Sequence, residues 1–318
     1  MRETIDLPIG VFDSGFGGLT VLSSLVEQMP NEDFVYLGDT ARAPYGPLSI
    51  AEVRANALEG LDHLVSFRVK ALVIACNSAS SAVLRDARER YDVPITEVVL
   101  PAASRAVAAT RNARVGVIAT ESTINSRSYE DAFAIAPRIT LTTQACPRFV
   151  EFVERGVTGG DELLAVAEEY LESMKKAQVD TLILGCTHYP LLSGVIGYVL
   201  GNSVTLVSSA ETCASSTYAQ LTQANLLRHQ PREATHTFLT TGDAGNFHGI
   251  GRRLLGGPVT NATTGDIQKG RGHGRPADLG GFRRTHRGAS QRRPAGRTRH
   301  LPALSGRGPR AGSGTVSA

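Results

Sequence analysis

Short apolar runs alternate with amphipathic stretches along most of the chain. PIGVF, FVYLG, ALVIAC, ITEVVL, RVGVIAT, TLILGC and VTLVSS are rich in Val, Ile and Leu and have the length of strands. Between them the apolar residues fall at helical spacing. In DELLAVAEEYLESMKKAQ, Leu163, Ala167, Tyr170, Leu171 and Met174 share one face, Asp161 and Glu162 open the segment, and Lys175 and Lys176 close it. That charge order suits the dipole of a helix. Strand, helix, strand in repetition predicts an α/β fold of doubly wound parallel sheets with helices on both faces. In such sheets ligands collect at the carboxyl ends of the strands, where the strand order switches. The polar residues that follow each apolar run are therefore the first candidates for function.

Two of those endings are alike. ALVIACNSAS closes on Cys76, Asn77 and Ser78, and TLILGCTHYP on Cys186, Thr187 and His188. A single strand-end cysteine is most often a small buried hydrophobe. Two such endings, each followed by hydrogen-bonding side chains, suggest related half-proteins that each offer one thiol to a shared cleft. Thiols on opposite sides of one carbon are what a racemase needs, one removing the α-proton and the other returning a proton to the opposite face. A free thiol has a pKa near ~8.5, so neighbouring groups must promote ionisation. His188, two residues from Cys186, is the local candidate. The same residue types also admit a noncatalytic amino-acid binding protein, which does not need both thiols, and a thiol hydrolase, which uses one as nucleophile. Cys146 in QACPRFV and Cys213 in AETCASS lack comparable surroundings and read as structural.

Two further segments have the character of ligand loops. VFDSGFGGLTVLSSL turns from a strand through Asp13, Ser14, Gly15, Gly17 and Gly18 into a helix, so its backbone can approach an anion at a helix start. It is neither GxGxxG nor a P-loop, which argues against a nucleotide. YLGDTARAPYGPLS places Asp39 after a strand and Pro44, Tyr45 and Gly46 in a loop.

Composition narrows the setting. The chain has 318 residues, 42% of them hydrophobic, enough for one large core or two ordinary ones. No apolar run approaches the ~18 residues of a membrane span, and the N-terminus does not resemble a secretion signal. Four scattered cysteines form no CxxC pair, which fits free thiols in a reducing cytoplasm and no metal site. The net charge of +3 is unevenly divided: residues 271–318 hold 11 Arg, no Lys and one acid, a charge of +10, which leaves 3 − 10 = −7 for residues 1–270. An acidic body with an Arg/Gly/Pro-rich tail argues against specific nucleic-acid binding, and the tail, residues 260–318, reads as disordered.

Taken together, DSGFGGLTV, YLGDTARAPYGP, ALVIACNSAS, GVIAT, ACPRFVEFVERG, LILGCTHYPLL and TTGD near residue 240 closely resemble the glutamate racemase family. The two cysteine segments alone would also fit aspartate racemases of the same superfamily. The resemblance spans residues 8–259 and implies two α/β domains related by a pseudo-twofold axis, residues 1–97 plus 209–259 and residues 98–208, with the site in the cleft between them. It implies a cofactor-independent, two-thiol interconversion of L-glutamate and D-glutamate that supplies D-glutamate for peptidoglycan. By position, Cys76 is expected to take the proton from D-glutamate and Cys186 from L-glutamate, with Asp13, Glu154 and His188 assisting. Asp13, Ser14, Tyr45, Gly46, Asn77, Ser78, Thr187 and His188 fall on the family's substrate-contacting positions, and Thr120 and Thr123 near a substrate carboxylate. Phe16 and Ser78 depart from the commoner smaller apolar residue and Thr of the family. Members are often homodimers, and the sequence points to no interface.

Overall fold

The computed structural model describes residues 2–255 and 262–264. Ten strands form two sheets within these residues: β1 (Ile9–Asp13), β2 (Phe34–Gly38), β3 (Ala71–Ile74), β4 (Ile95–Glu97), β5 (Arg114–Ala119), β6 (Thr140–Ala145), β7 (Thr181–Gly185), β8 (Thr205–Ser208), β9 (His236–Thr240) and β10 (Ala262–Thr264). One sheet has the order β10-β9-β2-β1-β3-β4 and the other β6-β5-β7-β8. Every pairing is parallel.

Read in chain order, β1–β4 and β5–β8 repeat one arrangement, with the first strand between the second and third and the fourth outside the third. Cys76 and Cys186 both follow the third strand of their repeat. The internal likeness of the two cysteine segments is thus a likeness of topology.

Alternation along the strands divides the core between the sheet faces. Ile9 and Val11 pack with Leu19, Leu22 and Leu25 on one face of the first sheet, while Phe12 packs with Val53, Ala57 and Leu61 on the other. In the second sheet Val115 and Val117 share a cluster with Ala102 and Tyr129, and Leu182 and Leu184 one with Leu163, Leu171 and Met174. Both sheets are therefore covered twice, as the near-continuous apolar runs predict. The charged segment forms the helix Asp161–Lys176, and its Leu163, Ala167, Leu171 and Met174 are buried.

At the amino-terminal edge of the first sheet lies a buried ion pair. Lys70 donates to Glu32 Oε2 at 2.5 Å and to the Ile5 carbonyl at 2.7 Å, and the Arg228 N–H donates to Glu32 Oε1 at 2.7 Å. No helix among the described residues is long and apolar enough to cross a membrane.

The elements differ from the sequence reading in three places. ITEVVL is not one strand: β4 stops at Glu97, whose carboxylate accepts the N–H of Leu100 at 2.8 Å and caps the helix Val99–Ala109. β6 and β9 have no strong apolar run to announce them, since TLTTQA and HTFLT take their strand character from threonines and each lies toward a sheet margin. Within the stretch read as disordered, Ala262–Thr264 pair with Phe238–Thr240 of β9 and use its open row of backbone groups. The rest of that stretch lies outside the described residues.

Candidate active site

Each third strand delivers its cysteine to the start of a helical segment. Cys76 is the N-cap of the helix Asn77–Arg90, where its sulfur accepts the Ala79 N–H at 3.4 Å and donates to Ser14 Oγ at 3.3 Å. Cys186 follows β7, and two residues later His188 precedes the short 3-10 turn Tyr189–Leu192. Its sulfur lies 3.7 Å from His188 Nδ1, and His188 Nε2 lies 3.5 Å from Glu154 Oε1.

Both cysteines line one cavity of about 200 Å³. Of the expected residues, Ser14, Tyr45, Gly46, Asn77, Ser78, Thr120, Glu154, Thr187 and His188 line it as well. Asp13 and Thr123 stand behind the wall. Asp13 is fully buried, with Oδ1 accepting the Gly15 N–H at 2.8 Å. Thr123 reaches the cavity through neighbours: Ser78, Thr120 and Thr123 form a ring of hydroxyls at 2.9, 3.1 and 3.3 Å.

The glycine-rich turn has another task than the anion cradle its sequence suggests. Gly15, Gly17 and Gly18 are absent from the cavity wall. A Cβ on Gly17 would collide with the side chains of Thr187 and His188, and Thr20 Oγ1 donates to the Thr187 carbonyl at 2.9 Å. The turn is a seat for the Cys186 loop. The acidic group beside this helix start is Asp13 itself, which burial shifts upward and which the amides of Gly15 and Gly18 pull back down.

The loop after β2 is fixed by Asp39, which is fully buried. Its carboxylate accepts from the Tyr45 hydroxyl, from Arg42 Nε at 2.7 Å and from Thr241 Oγ1 at 2.7 Å. Tyr45 therefore faces the cavity with its hydroxyl already bonded. The TTGD segment is accounted for by the same network, since Thr241 also accepts the Ala41 N–H at 3.0 Å.

Pro47, Glu121, Pro147, Val150 and Glu151 line the cavity without having been singled out by the sequence reading. A signal for three of them was present. Pro147, Val150, Glu151 and Glu154 are spaced i, i+3, i+4 and i+7, one face of the helix Arg148–Glu154, while Phe149, Phe152 and Val153 are buried in the core. Cys146 and Cys213 are buried among apolar side chains, as their surroundings in sequence suggest.

The two thiols have unlike electrostatic settings. Burial, and after it the charge of Asp13, pushes Cys76 up to about 12. Burial also raises Asp13, against the opposing pull of His188. For His188, burial disfavours the imidazolium, but hydrogen bonds to Cys186 and Glu154 and their charges outweigh it and raise the group to about 10. Among the described residues His188 is the one basic side chain on the wall, beside Glu121, Glu151 and Glu154. A carboxylate ligand must then be held by hydroxyls, by the Asn77 amide and by the helix starts at Asn77 and Glu121.

Comparison with known proteins places this cavity in a family context. The model of the Asp/Glu/Hydantoin racemase family matches residues 9–217. The chain is 62% identical over 255 residues to a glutamate racemase of Parafrankia sp., covering 80% of this chain and 92% of the relative. It is 42% identical to the crystal structure of glutamate racemase from Thermus thermophilus in complex with β-chloro-D-alanine, with a TM-score of 0.76 over 83% of this chain and 98% of that one. With the glutamate racemase of Francisella tularensis in complex with D-glutamate the identity is 33% and the TM-score 0.78, over 83% and 99% of the two chains.

Proposed function

Because the chain belongs to the Asp/Glu/Hydantoin racemase family, we propose that its cavity interconverts L-glutamate and D-glutamate with two thiols and no cofactor. The observation that carries this reading is that Cys76 and Cys186, each behind the third strand of its sheet, line the same small cavity.

The thiolate of one cysteine takes the α-hydrogen as a proton, and the electron pair of the broken C–H bond delocalises into the α-carboxylate. The thiol of the other cysteine returns a proton to the opposite face. Nothing is oxidised or reduced, and the two sulfurs exchange protonation states. Cys186 acts as base toward L-glutamate, with His188 and Glu154 in line behind it, and Cys76 toward D-glutamate, with Ser14 and Asp13 beside it. A placed acid or base contributes roughly 10²–10⁴-fold. The donors around the substrate carboxylate supply the stabilisation of the developing negative charge. The halves that carry the thiols are residues 1–97 with 209–259 and residues 98–208. The protein works in the cytoplasm, where its four free cysteines stay reduced, and supplies D-glutamate for peptidoglycan.

The line Cys186, His188, Glu154 also has the order of a thiol hydrolase, but in that chemistry Cys76 on the shared wall has no task. Incubation of either pure enantiomer in deuterated water separates the readings. Racemisation takes optical rotation to zero and labels the α-carbon of the product with deuterium. Unchanged rotation with folded protein overturns the proposal, and a covalent acyl adduct on Cys186 by mass spectrometry establishes the hydrolase instead.

A further inference from the structure

Tyr129 carries no cavity-lining atom, yet it touches the loops of both cysteines. It belongs to the short helix Ser128–Phe133 of the second sheet's half and is 1% exposed. Its ring lies against Gly185, the residue before Cys186: a Cβ on that glycine would stand 3.2 Å from Tyr129 Cε2. Its hydroxyl reaches the other half and donates to Asn77 Oδ1, next to Cys76, at 2.9 Å.

Asn77 is 3% exposed and lines the cavity, and its Nδ2 has no hydrogen-bond partner. A buried amide nitrogen left without an acceptor is unfavourable in the free protein. The arrangement makes sense when the cavity contains an acceptor. With Oδ1 occupied by the Tyr129 hydroxyl, the amide cannot turn over, and both of its N–H groups are held as donors. Burial keeps the Tyr129 hydroxyl protonated far above the usual tyrosine range, so it remains a donor throughout.

We propose that Tyr129 is a positioning residue that locks the Asn77 amide with its Nδ2 hydrogens toward a substrate carboxylate, and that its ring against Gly185 ties this donor to the Cys186 loop. The inference rests on the racemase reading for the identity of the substrate, but the lock itself concerns binding. Substrate affinity and turnover therefore report on different claims.

The test is a double-mutant cycle with Tyr129→Phe and Asn77→Ala, read as KM and kcat for both enantiomers and as D-glutamate affinity by calorimetry in a Cys76→Ser background. Tyr129→Phe removes one hydroxyl and keeps the ring on Gly185. The expected result is a roughly tenfold rise in KM and in Kd with a smaller change in kcat. In the Asn77→Ala background the second substitution should add less than about twofold, because the amide it orients is gone. Unchanged KM and Kd in Tyr129→Phe, or an equal loss with and without Asn77, overturns the proposal. Calorimetric weakening by Tyr129→Phe in a protein whose parent does not racemise would leave the lock standing and remove the racemase reading instead. Thermal unfolding of each variant confirms that the comparison is between folded proteins.

Discussion

The Cys186 sulfur stands 3.7 Å from Nδ1 of His188, while the Cys76 sulfur has only the neutral hydroxyl of Ser14, at 3.3 Å, as its side-chain partner. One thiol lies beside a histidine raised to about 10, and the other sits beside the carboxylate of Asp13. The two thiols therefore meet unlike surroundings, and burial beside Asp13 disfavours the thiolate of Cys76.

This asymmetry cannot appear in kcat/KM. Free enantiomers have equal energies, so kcat/KM must be the same in both directions for any variant. His188→Asn should lower it by roughly 10²–10⁴-fold for L- and D-glutamate alike. The imbalance should emerge in the separate kcat and KM values and in isotope effects with α-deuterated substrates. Circular dichroism of each reaction progress curve checks both statements.

The pH profile follows from His188. Its folded value of about 10 means that the imidazolium persists through neutral pH and is lost above about 10. Activity should hold to that point and then fall, with a further loss toward pH 12 as Cys76 gives up its proton. In His188→Asn the first alkaline step should vanish. The sign for stability is the same: a histidine raised on folding contributes fully below its unfolded value near ~6.5, and that contribution is lost as pH rises through about 10. Denaturant midpoints between pH 6 and 10 test it.

Gly17→Ala introduces a methyl where Thr187 and His188 already lie. The displacement should cost ~1–3 kcal/mol of stability. It should also move His188 away from Cys186 and lower kcat more than it raises KM. Urea unfolding and steady-state kinetics on the same preparation measure both effects.

Asp39→Ala releases Arg42, Tyr45 and Thr241 at once. Since Tyr45 and Gly46 form part of the cavity wall, KM should rise by about tenfold or more, while Tyr45→Phe, which leaves two partners on Asp39, should be milder. A KM series over the two variants gives the order.

Lys70→Met takes away the only cation paired with buried Glu32 among the described residues, leaving it the Arg228 N–H, at the edge of the sheet opposite the strand ends that bear the thiols. Loss of one member of a buried pair should cost ~3–5 kcal/mol. The kinetic constants of the folded protein should stay unchanged, which denaturant titration together with an activity assay at low temperature would show.

Much of this site can be read from residue order, because both thiols follow uninterrupted buried strands and the polar residues after them need only local spacing. The helix Asp161–Lys176 is equally plain, with end charges and apolar face in agreement. What escapes is whatever depends on distance through space. Glu121 and Glu151 resemble any surface acid until their helices are placed, and Tyr129 has no local mark that it meets Asn77, 52 residues away. The glycine turn is legible in part, as a structural turn or a ligand loop: close approach can be read, but not that the approaching group is the protein's own His188 loop. β6 and β9 are obscured because margin strands bury less and so carry less apolar code.

The hydrogen bonds that link elements of the first sheet to those of the second around the cavity join uncharged groups: Thr20 to the Thr187 carbonyl, the Ser122 N–H to the Gly46 carbonyl, Ser78 to Thr120 and Thr123, Ser81 to Ser128, and Tyr129 to Asn77. Among the described residues no ion pair spans them. Dissolved salt screens charges and leaves such hydroxyl contacts alone. The hydrogen bonds between the walls should therefore persist at high ionic strength, which leaves the attraction between His188 and Asp13 as the charged link across them.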